Sequence, residues 1–363
     1  MIKKLYLTKI ISDIDMVKYE GENFDESYYI GKNRYILKNG KGGISGNVDV
    51  YTIDGRLLLK IRRNVIPKKY TNLALNSLLD ASKKKHENRG AAAGVLDTNK
   101  MANYIGKFVN PGKFRTGFYS SVSGKKSNQL TSNLSKSNIV GYFDIADRNL
   151  KGKGAPCRLT AFNRDNPILW ENVIPFINEC NILFKKLIPD KYKIQKKRAD
   201  MTPKFRIGDT AYSTMTINYS WRTGLHRDVG DLKEGFGNLV VVEDPNNLNT
   251  YDGCYLGFPQ YGIAVDVRTG DYLAMNVHEW HCNTEFKPRK KKIYGNWSEI
   301  DIKNNWYLNR LSMVMYLREK MIKCSNKELW YKKKNISKNT NILDKLPKEY
   351  IDYMNKEYGL FID

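Results

Sequence analysis

The sequence predicts an α+β fold in which a β-sandwich or barrel is flanked by helices. Three observations carry this. Between about 204 and 318, short β-rich runs alternate with turn signals at even spacing, the pattern of a sandwich or barrel. Residues 166–190 repeat apolar side chains at three- and four-residue intervals, the period of a helix packed on a sheet. With 363 residues, 41% hydrophobic and 27% charged, the chain can bury a sizeable core, and its composition excludes fibrous and wholly disordered classes.

In chain order, residues 1–66 mix short β-like runs, Tyr35–Leu37 and Leu57–Ile61, around the Gly-rich turn at 39–43. Residues 68–88 read as a helix with Leu73, Leu75, Leu78 and Leu79 as its apolar positions, closing on Lys83-Lys84-Lys85. Arg89 to Gly94 is a small-residue stretch, read as a tight turn or as a place where a ligand comes close to the backbone. The Ser/Asn/Lys-rich segment 119–138 reads as a flexible loop. The helix at 166–190 uses Leu169, Val173, Phe176, Ile177, Cys180, Leu183, Phe184 and Leu187, and Pro189 is expected to end it. Strands are expected at 212–219, 238–243, 263–267, 271–277 and 311–317, and polar helices at 320–363. The resulting division is an N-terminal α/β extension packed on the core (1–139), a core (140–318) and a basic helical tail (319–363).

Charge is the unusual property. Lys plus Arg number 61 against 38 Asp plus Glu, a balance of +23. That favours a polyanionic partner, nucleic acid first and an anionic membrane surface second; a lysine-rich surface from an AT-rich genome is the bland alternative. The five cysteines are widely spaced with no CxxC, which argues for a reducing compartment and against a Cys-ligated zinc site. No signal-peptide h-region and no run of 18 apolar residues is present. A soluble intracellular monomer, in the nucleus or cytoplasm of a cellular or viral host, is the expectation.

The chemistry-bearing residues lie in the β-rich half. Three of the four histidines, His226, His278 and His281, fall there. His226-Arg227-Asp228 is an HxD, and on extended backbone its first and third side chains share a side. A histidine from a distant strand would complete a 2-His-1-carboxylate set, the ligand type of non-haem Fe(II). His278 and His281 compete for that place; three residues apart, they would face opposite sides of one strand. Arg310 and Ser312 open the last strand, where a guanidinium fork and a hydroxyl suit the far carboxylate of a dicarboxylate. Asn218, on the strand before HxD, is a further candidate contact. HxD, distal His and RxS occur here in the order found in 2-oxoglutarate-dependent oxygenases.

The stretches TMTINYSWRTGLHRD, GFGNLVVVED, GDYLAMNVHEWHCNTEF and NRLSMVMYLRE together resemble the TET/JBP family of nucleic-acid base oxygenases, over roughly residues 140–318. The resemblance implies a double-stranded β-helix, or jelly roll. It also implies Fe(II) held by His226, Asp228 and His281, and 2-oxoglutarate held by Arg310 with Ser312 and Asn218. O2 would be the co-oxidant and ascorbate the reductant. The implied activity is hydroxylation of the 5-methyl group of thymine or 5-methylcytosine in DNA; hydroxylation of a protein side chain or small molecule, and non-catalytic nucleic-acid binding, are the alternatives. One departure is visible. The gap from His281 to Arg310 is 29 residues, longer than in the family, and the excess reads as an inserted basic loop at 287–305. The run Lys287-Pro288-Arg289-Lys290-Lys291-Lys292 within it is a candidate phosphate contact.

Overall fold

The protein is described from a computed structural model, which covers residues 2–86, 89–95, 116–119, 126–131, 133–144, 157–289 and 303–323. Its strands are β1 (Ile2–Leu7), β2 (Tyr35–Leu37), β3 (Asn47–Thr52), β4 (Leu57–Arg62), β5 (Lys85–His86), β6 (Thr116–Tyr119), β7 (Lys126–Thr131), β8 (Ser135–Phe143) and β9 (Arg158–Leu159). They continue as β10 (Thr214–Tyr219), β11 (Gly237–Glu243), β12 (Tyr251–Gly253), β13 (Leu256–Phe258), β14 (Ile263–Val265), β15 (Tyr272–Met275), β16 (Cys282–Asn283), β17 (Phe286–Pro288) and β18 (Arg310–Tyr316). The helices are α1 (Asp13–Lys18), α2 (Lys68–Ser82), α3 (Ala161–Asp165), α4 (Pro167–Leu187) and α5 (Pro189–Asp200).

One large sheet runs β1-β3-β4-β15-β11-β18-β10-β8-β5, with β9 on β8. A smaller sheet runs β16-β13-β14-β2. Strand alternation gives the large sheet two different faces. Met215, Ile217, Val240, Val242, Met313 and Met315 meet Trp170, Val173, Phe176, Ile177 and Phe184 of α4, together with Ala74 and Leu78 of α2. On the opposite face, Leu239, Val241, Leu273 and Met275 pack with Leu256, Phe258, Ile263 and Val265 of the smaller sheet. The core is thus two apolar layers: helices on sheet, and sheet on sheet.

Several expectations are corrected. The second helix stops at Ser82, and Lys85-His86 pairs instead with Ser135-Lys136 of β8. Its buried residues are Thr71, Ala74, Ser77, Leu78, Ala81 and Ser82, so of the four expected leucines Leu78 is buried and Leu75 packs partly buried against the core; the small side chains let the helix approach both α4 and the sheet closely. The segment 119–138 is not a continuous loop: β7 pairs with β6, and β8 begins at Ser135. Pro189 does end α4, but it also starts α5 as the first residue of that helix, where its missing N–H costs nothing. In the N-terminal residues, β4 pairs with β15 and β2 with β14, so they extend both sheets. At the start of the expected basic loop, Lys287 and Pro288 pair with β12 as part of β17; residues 290–302 and the expected tail beyond 323 lie outside the described residues. Cys180, Cys254 and Cys282 are free and buried, whereas Cys157 is disulfide-bonded, which the cysteine spacing does not foretell. No helix among the described residues is long and apolar enough to cross a membrane.

Candidate active site

The inward faces of β8, β10 and β18 floor a cavity of about 820 Å³, and the turn carrying His226 and Asp228 closes over it. His226 and His281 form an antiparallel bridge, each N–H donating to the other's carbonyl at 3.0 Å. This bridge brings together two side chains 55 positions apart in the chain (281 minus 226). Arg227 reaches across the same junction to lie 4.4 Å over the ring of buried Trp280. The Asp228 N–H donates to Val277 O at 3.0 Å.

The two imidazoles are set up alike. His226 Nδ1 lies 2.8 Å from Gly224 O, and His281 Nδ1 lies 2.9 Å from Glu279 O. A carbonyl only accepts, so each Nδ1 carries the proton and each Nε2 presents a lone pair. Those Nε2 atoms stand 3.7 and 3.6 Å from the two oxygens of Asp228. One ligand atom from each of the three residues lies within 4.8 Å of the others, a separation that a single ion can bridge. Burial, and then the charge of His281, pull His226 down to about 4, so it is neutral near pH 7, as a ligand must be. Burial, the largest influence, opposes ionisation of Asp228, but the nearby His226, His281, Arg89 and His278 together lower its pKa. His278 is elsewhere: it sits in a turn, with Nε2 3.1 Å from Leu232 O.

Arg310, Ser312 and Asn218 line the same cavity. Asn218 and Ser312 are direct partners across β10 and β18. Arg310 is only 3% exposed, its Nε is buried without a hydrogen-bond partner, and no carboxylate among the described residues pairs with it. Asn218 Oδ1 is likewise buried and unpartnered. A buried guanidinium without a counter-charge is costly, and here it faces open space where an anion can supply one. Ser220, at φ 45°, fixes the approach: its N–H donates to Arg310 O at 2.7 Å, and its Oγ accepts from Arg310 N at 3.0 Å.

Sequence reasoning missed part of this cavity. Tyr316 and Val314 line it on the same face as Arg310 and Ser312, and a period of two counted on from Arg310 reaches both. Asp231 also lines it; burial, and then the charge of Asp228, push its carboxyl well above the usual range. Phe143, Arg158 and Arg318 line it too, with Arg318 stacked 4.3 Å over Phe143; no local signal marks them. The stretch from Arg89 to Gly94 is a buried 3-10 turn, Gly90–Ala93, and the backbone that it approaches is the protein's own. A Cβ on Gly224 would stand 2.6 Å from Gly21 O, 2.9 Å from Ala91 O and 2.9 Å from Gly94 Cα. All three are backbone atoms with little room to yield. Gly224→Ala is therefore expected to cost about 1–3 kcal/mol and, by moving the carbonyl that orients His226, to weaken metal binding about tenfold or more. Thermal unfolding and metal titration check both parts.

The two facing sheets, with a His-Asp-His cluster and a buried arginine sharing one cavity, have the parts of a metal-dependent oxygenase. Residues 138–319, half of the chain, match the Tet_JBP family model, described as the oxygenase domain of the 2OGFeDO superfamily. The chain belongs to this family. Among curated relatives, thymine dioxygenase JBP1-B of Trypanosoma cruzi is 29% identical over 216 residues, 58% of this chain and 24% of the relative. Thymine dioxygenase JBP1 of Trypanosoma brucei brucei is 32% identical over 182 residues, 50% of this chain and 19% of the relative. The chain thus spans a quarter or less of the length of these relatives. Among solved structures, NgTET1 in complex with 5mC DNA aligns over 92% of this chain and 100% of its own at 13% identity and a TM-score of 0.40, a likeness too loose to build on. The superfamily description implies iron and 2-oxoglutarate, and the donor set described above fits both.

Proposed function

We propose that this chain is an Fe(II)- and 2-oxoglutarate-dependent dioxygenase that hydroxylates the 5-methyl group of a pyrimidine base in DNA, with thymine as the first candidate. The observation that carries the reading is the meeting, in one cavity, of the His226-Asp228-His281 cluster and the buried, uncompensated Arg310, in a chain whose relatives are named thymine dioxygenases. In this reading residues 140–318 are a double-stranded β-helix core, which residues 1–139 extend.

His226, Asp228 and His281 would hold Fe(II), two neutral imidazoles and one carboxylate leaving positions for other ligands. Arg310, Ser312 and Asn218 would hold the far carboxylate of 2-oxoglutarate, the guanidinium supplying the charge and the hydroxyl and amide the direction. With 2-oxoglutarate and O2, iron held there would supply oxidation of the base methyl C–H bond. The Nδ1 bonds to Gly224 and Glu279 orient the imidazoles. The apolar walls, Leu239, Leu256, Met275 and Val314, exclude water around the reacting atoms. A base in a duplex cannot reach this cavity while stacked, so it must be extruded, at a cost of a few kcal/mol; the excess positive charge of the chain would hold the flanking phosphates.

The test is succinate formation from 2-oxoglutarate with and without duplex DNA. DNA is expected to stimulate turnover severalfold. Binding should weaken by about a hundredfold between about 50 and 200 mM salt if roughly four phosphates are neutralised. Succinate formed at the same rate without DNA would overturn the DNA substrate and point to a protein or small-molecule substrate.

A further inference from the structure

The cavity has a wall that comes from outside the segment the family model matches. His86 and Arg89 line it together with the His-Asp-His cluster, yet both precede residue 138, where that segment starts. Two features of the fold bring them there. The short strand β5 adds His86 to the edge of the large sheet, opposite Ser135 of β8, and β8 pairs in turn with β10, which carries Asn218. Immediately after Arg89, the buried turn Gly90–Ala93 locks against the loop leading to His226, with Gly224 N donating to Ala92 O at 3.1 Å. The segment is therefore built into the site rather than laid over it.

The charge of Arg310 is felt at Tyr251 and Cys254. The charge of Arg89 is felt at Asp228, Asp231 and Tyr316. Both guanidiniums line the cavity. His86 Nε2 is buried with no hydrogen-bond partner. Burial, and then the charges of Arg89 and Lys84, hold its imidazole below the ordinary value, so near pH 7 the ring offers one neutral N–H. Arg310 accounts for one oxygen-bearing ligand. The buried, unpartnered nitrogen of His86, in the cavity wall with the Arg89 guanidinium, offers a donor to another.

We propose that Arg89 and His86 are substrate-facing residues that donate hydrogen bonds to oxygen acceptors of the extruded nucleotide. This rests on the base-hydroxylation reading and deepens it, because the active site is then complete only with the N-terminal segment. The acceptor is a carbonyl of the base or a non-bridging oxygen of its phosphodiester; both take the same donors.

The test uses the full chain loaded with Mn(II) and 2-oxoglutarate, and a fluorescently labelled thymine-containing duplex followed by anisotropy, alongside hydroxylation kinetics with Fe(II). For Arg89→Gln, the Kd and KM for DNA are expected to rise about tenfold or more, while the Kd for 2-oxoglutarate by calorimetry stays within about twofold. Arg89→Lys, which keeps the charge but loses the fork, is expected to fall between, and it serves if the Gln variant fails to fold. His86→Gln is expected to cost about threefold in DNA affinity. A duplex with a neutral methylphosphonate beside the target separates the two acceptors. If Arg89 meets the phosphate, that duplex and Arg89→Gln cause the same loss and no more when combined; if it meets the base, the losses add. Unchanged DNA binding by both Arg89 variants, or a loss confined to 2-oxoglutarate, would overturn the inference. Wild-type protein that binds DNA without hydroxylating it would sink the function reading instead, and the anisotropy comparison would still decide the role of Arg89.

Discussion

Asp228→Ala is expected to remove metal binding and to lower kcat/KM by about a thousandfold or more, equivalent to about 4 kcal/mol of transition-state stabilisation. The reason lies in the composition of the cluster. Asp228 supplies its carboxylate, with oxygens 3.7 and 3.6 Å from the two Nε2 atoms. Without it, two neutral imidazoles face the ion, with no negative charge to offset its own. The imidazoles themselves should stay in place, since their Nδ1 bonds go to backbone carbonyls and their strands are bridged by reciprocal N–H···O bonds. The variant should therefore fold and be inert. Metal content by elemental analysis and melting temperature check the two halves. An Asp228→Ala protein that retained stoichiometric iron would contradict the assignment.

Arg310→Met is expected to raise the KM for 2-oxoglutarate by about a hundredfold, the effect of losing a charge-assisted, bidentate contact worth about 3 kcal/mol. Arg310→Lys, which keeps a point charge without the fork, should cost about tenfold. Stability is expected to move the other way. Arg310 is buried and no carboxylate among the described residues compensates it, so exchanging it for an apolar side chain of similar length removes an uncompensated charge and should leave the melting temperature unchanged or raised. A structural ion pair would behave oppositely, losing several kcal/mol of stability with little change in KM. The pairing of a raised KM with an unharmed melting temperature distinguishes the two.

Much of the site is legible in the sequence because its parts are local. HxD needs only two side chains two positions apart, and RxS likewise, so strand alternation alone predicts that each pair acts together. The helix α4 is legible for the same reason, its buried residues Trp170, Val173, Phe176, Ile177, Cys180 and Phe184 recurring with helical period. What lies beyond local pattern is less legible. The choice between His278 and His281 depends on a turn that points His278 toward Leu232 O, and their spacing alone leaves it open; it is the resemblance to the TET/JBP family that favours His281. The end of α2 is misjudged because its continuation is decided by pairing of Lys85-His86 with β8, some 50 residues on. The hairpin of β6 and β7 hides in a Ser/Asn/Lys-rich stretch whose composition resembles a loop. His86 and Arg89 carry no motif, and only the edge pairing of β5 and the contact of Gly224 with Ala91 and Gly94 bring them to the cavity.

The most direct test of the central claim is nucleoside mass spectrometry after incubation of the purified protein with Fe(II), 2-oxoglutarate, ascorbate and DNA containing both thymine and 5-methylcytosine. The account predicts 5-hydroxymethyluracil, with wild-type protein and not with Asp228→Ala; 5-hydroxymethylcytosine would keep the chemistry and change the base. Unmodified DNA from an iron-loaded protein that still converts 2-oxoglutarate to succinate would contradict the claim that a DNA base is the substrate.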